Sequence, residues 1–459
     1  HRTGARRHHL RCKRIRLLGR IHRNSAAPLS SAPASKSVLD ISPPIWYTNC
    51  IMIERNAGLA NLTAGYLFPE VARRRREYAA AHPDAKIISL GIGNTTEAIP
   101  PHITQAMVSY AQGLGTRVGY SGYGDEQGLT SLRKRIAEVL YSGMASEDEV
   151  FISDGAKCDI ARIQSLFGSN VGIAVQDPAY PVYVDGSVIV GAAGAADSSG
   201  CYKGVTYLPC TAENNFFPDL SLIKDNTLIY FCSPNNPTGV ASTKAQLKQL
   251  VDYALRHGCI IIYDAAYSAF IRDESLPRTI YEVEGARRCA IEVNSFSKLA
   301  GFTGIRLGWS VVPSELTFAD GTPVRQDWNR VMTTLFNGAS NIAQHGGLAA
   351  LDEEGRKETR ELVDYYLENA RIMKAALTGE NFASAGVRVF YTGDSPYLWV
   401  QFPKWKSWDI FDKILDECHV VTTPGSGFGP AGESYVRFSS FGHREDVEEA
   451  CRRLSKLKL

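Results

Sequence analysis

The residues best placed to do chemistry lie in one run, Asn294-Ser295-Phe296-Ser297-Lys298-Leu299-Ala300-Gly301-Phe302-Thr303-Gly304-Ile305-Arg306-Leu307-Gly308-Trp309. Lys298 follows an apolar stretch, stands among Ser and Gly, and precedes Arg306 by eight residues. A lone Ser-x-Ser-Lys is most often a solvated surface charge. The flanking glycines and aromatic setting favour a held lysine instead, one whose amine can form a Schiff base with an aldehyde. Ser295, Ser297 and the Arg306 guanidinium suit a phosphate, the arginine through its bidentate fork.

Other candidates stand upstream. Cys259–Tyr263 reads as a strand that delivers Asp264, with Tyr267 three residues on. An ordinary turn aspartate is the plain alternative; a carboxylate at the end of a buried strand instead needs a cationic partner. A pyridinium nitrogen would serve, and the Tyr267 hydroxyl could reach the same ring's phenolate oxygen. Tyr230–Cys232 runs into Ser233-Pro234-Asn235-Asn236-Pro237-Thr238-Gly239, a turn whose prolines fix the chain and leave the Asn236 amide as a donor. Asp154-Gly155-Ala156-Lys157 opens a helix with small residues, the arrangement that lets backbone N–H groups meet an anion. Tyr180, in Asp177-Pro178-Ala179-Tyr180-Pro181, is suited to stack on a flat ring.

These residues share a position: each follows a short apolar run. Such runs recur at Lys86–Leu90, Val150–Ser153, Gly172–Gln176, Thr227–Cys232, Cys259–Tyr263 and Cys289–Asn294. Stretches with helical spacing lie between them, among them Gly128–Tyr141, Ala156–Phe167 and Lys244–His257. Continuous apolar strands alternating with amphipathic helices predict a mostly parallel sheet covered on both faces, with ligands at the carboxyl ends of its strands. The last third reads differently. Gln326–Ala350 and Glu358–Leu377 are expected helices. Val387–Tyr391, Tyr397–Phe402 and Tyr435–Phe438 are expected strands of a smaller α/β domain, with helices at Ser407–Cys418 and Arg444–Leu457.

The chain's 459 residues suffice for one large or two ordinary domains, and its 44% hydrophobic and 21% charged content excludes a collagen, a disordered tail protein or a small disulfide scaffold. The longest apolar run, Val188–Ala196, falls far short of the roughly 20 residues that span a bilayer. None of the ten cysteines forms a Cys-x-x-Cys pair or shows zinc-ligand spacing, so they read as small buried hydrophobes and no metal is expected. The net charge of +2 hides an asymmetry: residues 1–39 carry ten Lys/Arg and no acid, leaving the remainder at −8. An Arg-, Ser- and Ala-rich, acid-free leader reads as an organelle transit peptide ending near residue 50. A basic arm for nucleic acid is its rival, and nucleic-acid binding is not expected of the body.

Taken in order, the motifs over residues 60–459 resemble the fold-type-I pyridoxal-phosphate aminotransferases. The resemblance implies an α/β fold: a large cofactor domain over 91–325 with a mostly parallel sheet in α/β/α layers. It implies an arm and part of the small domain over 51–90, and a connecting helix and C-terminal small domain over 326–459. It implies Lys298 as the cofactor-bearing lysine and proton carrier, Asp264 on the pyridine nitrogen, Asn236 and Tyr267 on the ring oxygen, and Tyr180 on the ring face. Gly155, Ala156, Lys157, Ser295, Ser297 and Arg306 would hold the phosphate. Ser434-Tyr435-Val436-Arg437-Phe438-Ser439 matches the family's strand bearing the arginine for the substrate α-carboxylate, which points to Arg437.

Asn61–Phe68, Ser89–Asn94, Gly119–Leu129 and Asp154–Ile160 look like the corresponding segments of the LL-diaminopimelate aminotransferases, a subfamily of lysine synthesis. That resemblance implies LL-2,6-diaminopimelate and 2-oxoglutarate as substrates, a plastid address, and a homodimer with shared sites. Tyr66, Tyr123, Glu126 and Asn337 would come from the partner subunit. Glu126 suits the distal ammonium; Lys157, Tyr66 and Asn337 suit the distal carboxylate, and Gly93 offers backbone beside the substrate. Tyr123 would also meet the cofactor. No membrane or nucleic-acid partner is expected. The alternatives are another fold-type-I enzyme, such as a lyase or different aminotransferase, and a cofactor-binding regulator without catalysis.

Overall fold

The computed structural model describes residues 53–62 and 67–459; the expected leader 1–50, Cys12, Cys50 and Tyr66 lie outside them. Strands are numbered in chain order: β1 Ile88–Ser89, β2 Val150–Ser153, β3 Gly172–Asp177, β4 Val205–Pro209, β5 Thr227–Cys232, β6 Ile260–Asp264, β7 Ala290–Ser295, β8 Gly308–Val311, β9 Arg388–Phe390, β10 Tyr397–Gln401, β11 Val420–Val421, β12 Thr423–Pro424 and β13 Tyr435–Ser439.

Seven strands form the central sheet in the order β2-β8-β7-β6-β5-β3-β4. All neighbours pair in parallel except those of β8, which runs antiparallel to both β2 and β7. The apolar runs are continuous because both faces are covered. Ile152, Ile229, Phe231, Ile261 and Tyr263 enter one core; their chain neighbours Phe151, Leu228, Tyr230 and Ile262 enter the other. The helices Thr130–Tyr141 and Lys244–His257 pack on the first face, and Ala156–Phe167 on the second.

Register decides where chemistry gathers. Cys232 pairs with Asp264, Asp264 with Val293, and Ser295 and Ser153 both with Gly308. The carboxyl ends of β2, β5, β6 and β7 therefore align at one edge. Because β8 is antiparallel, its first residue lies at that edge too, which brings Arg306 beside them.

A four-stranded antiparallel sheet, β12-β13-β10-β9, forms a second body with the helices Ser407–Cys418 and Arg444–Leu454. The 25-residue helix Glu353–Leu377 joins the two cores: Leu362, Val363 and Tyr366 pack in the large one, Ala370, Met373 and Leu377 in the small one. The Asp352 side chain caps it and Glu353 and Glu354 occupy its first turn, where the helix dipole favours acids.

Several expectations need correction, among them the start of the helix expected at Glu358, which lies at Glu353. The run at Lys86–Leu90 does not enter the central sheet; β1 pairs in parallel with β11 in a separate two-stranded sheet. The expected helix Gln326–Ala350 is two helices, Val324–Leu335 and Asn341–Leu351, because Asn337 (φ 66°) and Gly338 (φ 98°) are left-handed and break it. The last helix ends at Leu454, not Leu457. The eight described cysteines are free and six are buried. Among the described residues, no helix is long and apolar enough to cross a membrane.

Candidate active site

The aligned strand ends and the second body enclose a cavity of about 300 Å³. It is lined by Gly93, Ala156, Lys157, Tyr180, Asn236, Asp264, Tyr267, Ser295, Ser297, Lys298, Arg306 and Arg437. Twelve site residues chosen from sequence thus meet in one place, although they span 345 positions of the chain.

One end suits an anion. Ala156 and Lys157 open the helix Ala156–Phe167 directly after β2, so its positive dipole end faces the cavity. Gly155 precedes them at φ 128°, a conformation that favours glycine. A Cβ there would stand 2.8 Å from Arg306 Nη2, so the guanidinium lies against bare backbone. Ser295 caps the short helix Phe296–Leu299 by accepting the Ser297 N–H at 3.0 Å, and the Ser297 hydroxyl accepts from Arg306 Nη1 at 3.4 Å. Arg306 itself is left-handed (φ 69°) and, among the described residues, makes no ion pair with a carboxylate.

The middle holds titratable groups whose charges lack partners. Lys298 donates to the Gly93 carbonyl. Desolvation, with the charges of Arg437 and Arg306, lowers its ammonium to about 7, so in the cofactor-free chain the amine is half neutral near neutrality. Asp264 is buried; its Oδ1 accepts the Ala266 N–H at 3.0 Å and its Oδ2 the Tyr183 hydroxyl at 2.8 Å. Burial pushes its carboxyl up, against those two hydrogen bonds. Among the described residues no basic side chain pairs with it, so a cation arriving in the cavity would find a carboxylate in need of one.

Arg437 dominates the far wall. It is 1% exposed. Its Nη1 donates to Asn236 Oδ1 at 2.6 Å, its Nη2 to the Gly91 carbonyl at 2.5 Å, and its Nε has no partner. The guanidinium sits 4.3 Å from the centre of the Tyr397 ring and 5.0 Å from that of Phe428. A buried guanidinium held by neutral acceptors and aromatic faces, with no carboxylate on it among the described residues, is built to receive one.

Seven lining residues were not chosen from sequence, and two of them, Tyr397 and Tyr183, bond to residues that were. Tyr397, at the start of β10, shares a hydrogen bond of 2.8 Å with the Tyr267 hydroxyl. It also restricts position 93 to glycine, since a Cβ there would stand 2.4 Å from the Tyr397 hydroxyl. Tyr183 reaches Asp264 from the helix that follows Tyr180. The only sequence signal for Tyr183 is its spacing of three from Tyr180; Tyr397 has none.

Among the described residues, Tyr123, Glu126 and Asn337 do not line this cavity. Tyr123 is 94% exposed, and Glu126 and Asn337 are exposed. The backbone segments that carry the latter two are neighbours, for a Cβ on Gly338 would stand 3.7 Å from Glu126 Cα. Val118, Tyr120 and Leu335 lie exposed in the same two segments.

The residues present fit pyridoxal phosphate. An unpaired buried carboxylate suits a protonated ring nitrogen, a glycine-floored helix start with Ser and Arg suits the phosphate, and a neutral amine between them suits the aldehyde. The comparisons agree. The family model for aminotransferase class I and II matches residues 85–454. The probable LL-diaminopimelate aminotransferase, chloroplastic, of Oryza sativa subsp. japonica is 54% identical over 419 residues, 91% of this chain and 89% of that one. The chloroplastic LL-diaminopimelate aminotransferase of Arabidopsis thaliana is 53% identical over 407 residues, 88% of this chain and 87% of that one. Among solved structures, L,L-diaminopimelate aminotransferase from Chlamydomonas reinhardtii superposes with a TM-score of 0.84 at 55% identity, covering 89% of this chain and 99% of that chain. With an unpaired arginine, an unpaired aspartate and a low-pKa lysine at the edge of a fold so matched, the chain belongs to the class I and II aminotransferases, enzymes that work with pyridoxal 5'-phosphate.

Proposed function

We propose that the chain transfers an amino group between LL-2,6-diaminopimelate and 2-oxoglutarate, giving tetrahydrodipicolinate and L-glutamate for lysine biosynthesis. It acts in the plastid stroma as a homodimer with shared sites. The observation that carries the amino-acid reading is Arg437, a buried guanidinium with an empty Nε in the cavity of Lys298. The particular substrate rests on likeness to relatives of that name, more than half identical over about nine-tenths of the chain. The plastid address rests on the chloroplastic names of the plant relatives and the acid-free leader.

When bound, pyridoxal phosphate supplies an aldehyde that takes up the amino group and a protonated ring that stores the electron pair left at the substrate Cα. Gly155, Ala156, Lys157, Ser295, Ser297 and Arg306 would hold its phosphate. Tyr180 would cover one ring face, and Asn236 and Tyr267 would donate to the ring oxygen. Asp264, kept anionic, would hold the proton on the ring nitrogen. Arg437 grips the α-carboxylate and turns the Cα–H bond towards Lys298. Lys298 would take that proton from Cα and return it at the cofactor carbon. An amine that is neutral near pH 7 can do both.

The distal ammonium and carboxylate need further partners. Lys157 lies within the same cavity. Glu126, Asn337, Tyr66 and Tyr123 would arrive from the partner subunit, which accounts for the exposure of Glu126, Asn337 and Tyr123 on the single chain. The test is turnover by the holoenzyme. One glutamate should form per diaminopimelate consumed, and none should be consumed without 2-oxoglutarate. Consumption without the oxo acid would indicate a lyase and contradict the proposal.

A further inference from the structure

Asp264 poses a physical problem. To pair with a protonated ring nitrogen it must be ionised, yet it is buried and has no basic neighbour, and desolvation favours its neutral form. Two donors work against that tendency, the Ala266 N–H and the Tyr183 hydroxyl. The backbone donor is fixed by the turn after β6. Tyr183 is a side chain from another element, and its own placement is over-determined. Its ring lies nearly parallel to that of Tyr230, 5.3 Å away at 11°. Its carbonyl accepts from Gln164 Nε2 at 3.1 Å and from the Ser187 hydroxyl at 2.7 Å. Burial and the nearby Asp264 hold its phenol well above its ordinary pKa, so it remains a donor throughout the working range.

We propose that Tyr183 is a positioning residue for the cofactor: its hydroxyl holds Asp264 as an oriented carboxylate towards the ring nitrogen, and its ring braces the stacking residue Tyr180. The brace is an edge contact, with ring centres 6.0 Å apart at 86°. An ionised carboxylate has about four acceptor sites, so the two bonds it makes to protein leave room for the ring N–H. One residue thereby sets the cofactor's protonation and supports its stacking face. The inference rests on the reading of Asp264 as the ring-nitrogen partner.

Tyr183→Phe removes the hydroxyl and keeps the ring on Tyr230. Reconstitution with ring-¹⁵N-labelled pyridoxal phosphate reads the effect directly. The variant should bind the cofactor about tenfold more weakly, the loss expected of one hydrogen bond to a charged group. Its ¹⁵N signal should move towards that of an unprotonated ring, while the apo chain melts within a few degrees of the parent. Parental affinity together with the parental ¹⁵N signal would overturn the proposal. Should Tyr183→Phe fail to fold, 3-fluorotyrosine in place of Tyr183 serves instead. As a stronger donor it should keep the ring protonated to higher pH, and an unchanged titration would overturn the proposal. Asp264→Asn separates this inference from its foundation. It should lose the protonated-ring signal, and retention of that signal would overturn both the role of Asp264 and that of Tyr183.

Discussion

Two regions of the chain carry candidate substrate-binding residues, and they could hardly differ more. The cavity at the sheet edge is buried and internally braced. Arg437 is 1% exposed and Asp264 is held by two hydrogen bonds. The segments around Glu126 and Asn337 lie open, with Val118 at 99% and Tyr123 at 94% exposure. One chain thus assembles the groups that hold a cofactor and an α-carboxylate, while those suited to the far end of a long substrate point outward. Large apolar side chains lie exposed beside them, as the proposed homodimer requires of a surface that its partner would cover. The lesson is a division of labour. On the proposed function, chemistry common to many amino acids is built into the fold of one chain, and discrimination among them is left to a junction between chains.

The largest effect expected on this division is that of Lys298→Ala. Turnover should fall at least roughly a thousandfold with every substrate, with the melting temperature of the apo chain nearly unchanged. Residual turnover within tenfold of the parent would remove Lys298 from its role. Arg437→Lys should come next. A lysine keeps the charge but loses the bidentate fork, and kcat/KM should drop about a hundredfold for diaminopimelate and glutamate alike. A loss confined to one substrate would mean that Arg437 does not hold the carboxylate they share.

Glu126→Gln should act on the other side of the comparison, costing about tenfold with diaminopimelate and little with glutamate. Equal losses would deny Glu126 a part in specificity. Mixed dimers sharpen the point. Co-expressed Lys298→Ala and Glu126→Gln chains should regain activity towards diaminopimelate, because one site of the hybrid would combine an intact Lys298 with an intact Glu126 across the interface. No recovery would place both residues in a site made by one chain. The smallest effect is one of pH. The free Lys298 amine attacks an aldehyde only when unprotonated, so cofactor attachment to the apo chain should speed up as pH rises through about 7 and level off above it. A midpoint near that of an ordinary lysine would contradict the desolvated environment.

Much of this was legible in the sequence for a physical reason. Strands buried on both faces must be apolar throughout, so Val150–Ser153 and Thr227–Cys232 stand out with their ends intact. In a parallel sheet those ends mark the site, which is why Asp264 and Asn236 could be chosen before their neighbours were known. β4, at the sheet edge with only Val205 and Leu208 buried, carried no such run and was missed. The helical break at Asn337–Gly338 depends on two left-handed residues, of which only the glycine was a visible signal. Tyr397 and Tyr183 were illegible because their partners lie 130 and 81 residues away, and a lone tyrosine in an apolar run looks like core. Arg437 was chosen only through the family pattern. Its unpaired state, the feature that speaks for a ligand, belongs to the folded chain.

The central claim is that the cavity takes the amino group of LL-diaminopimelate. The holoenzyme's visible absorbance should be titrated with the LL isomer and, in parallel, with the meso isomer. The account predicts that the cofactor's aldehyde-state band is lost with LL-diaminopimelate and returns on adding 2-oxoglutarate. A band that does not respond to the LL isomer would leave the fold and cofactor in place and contradict the substrate.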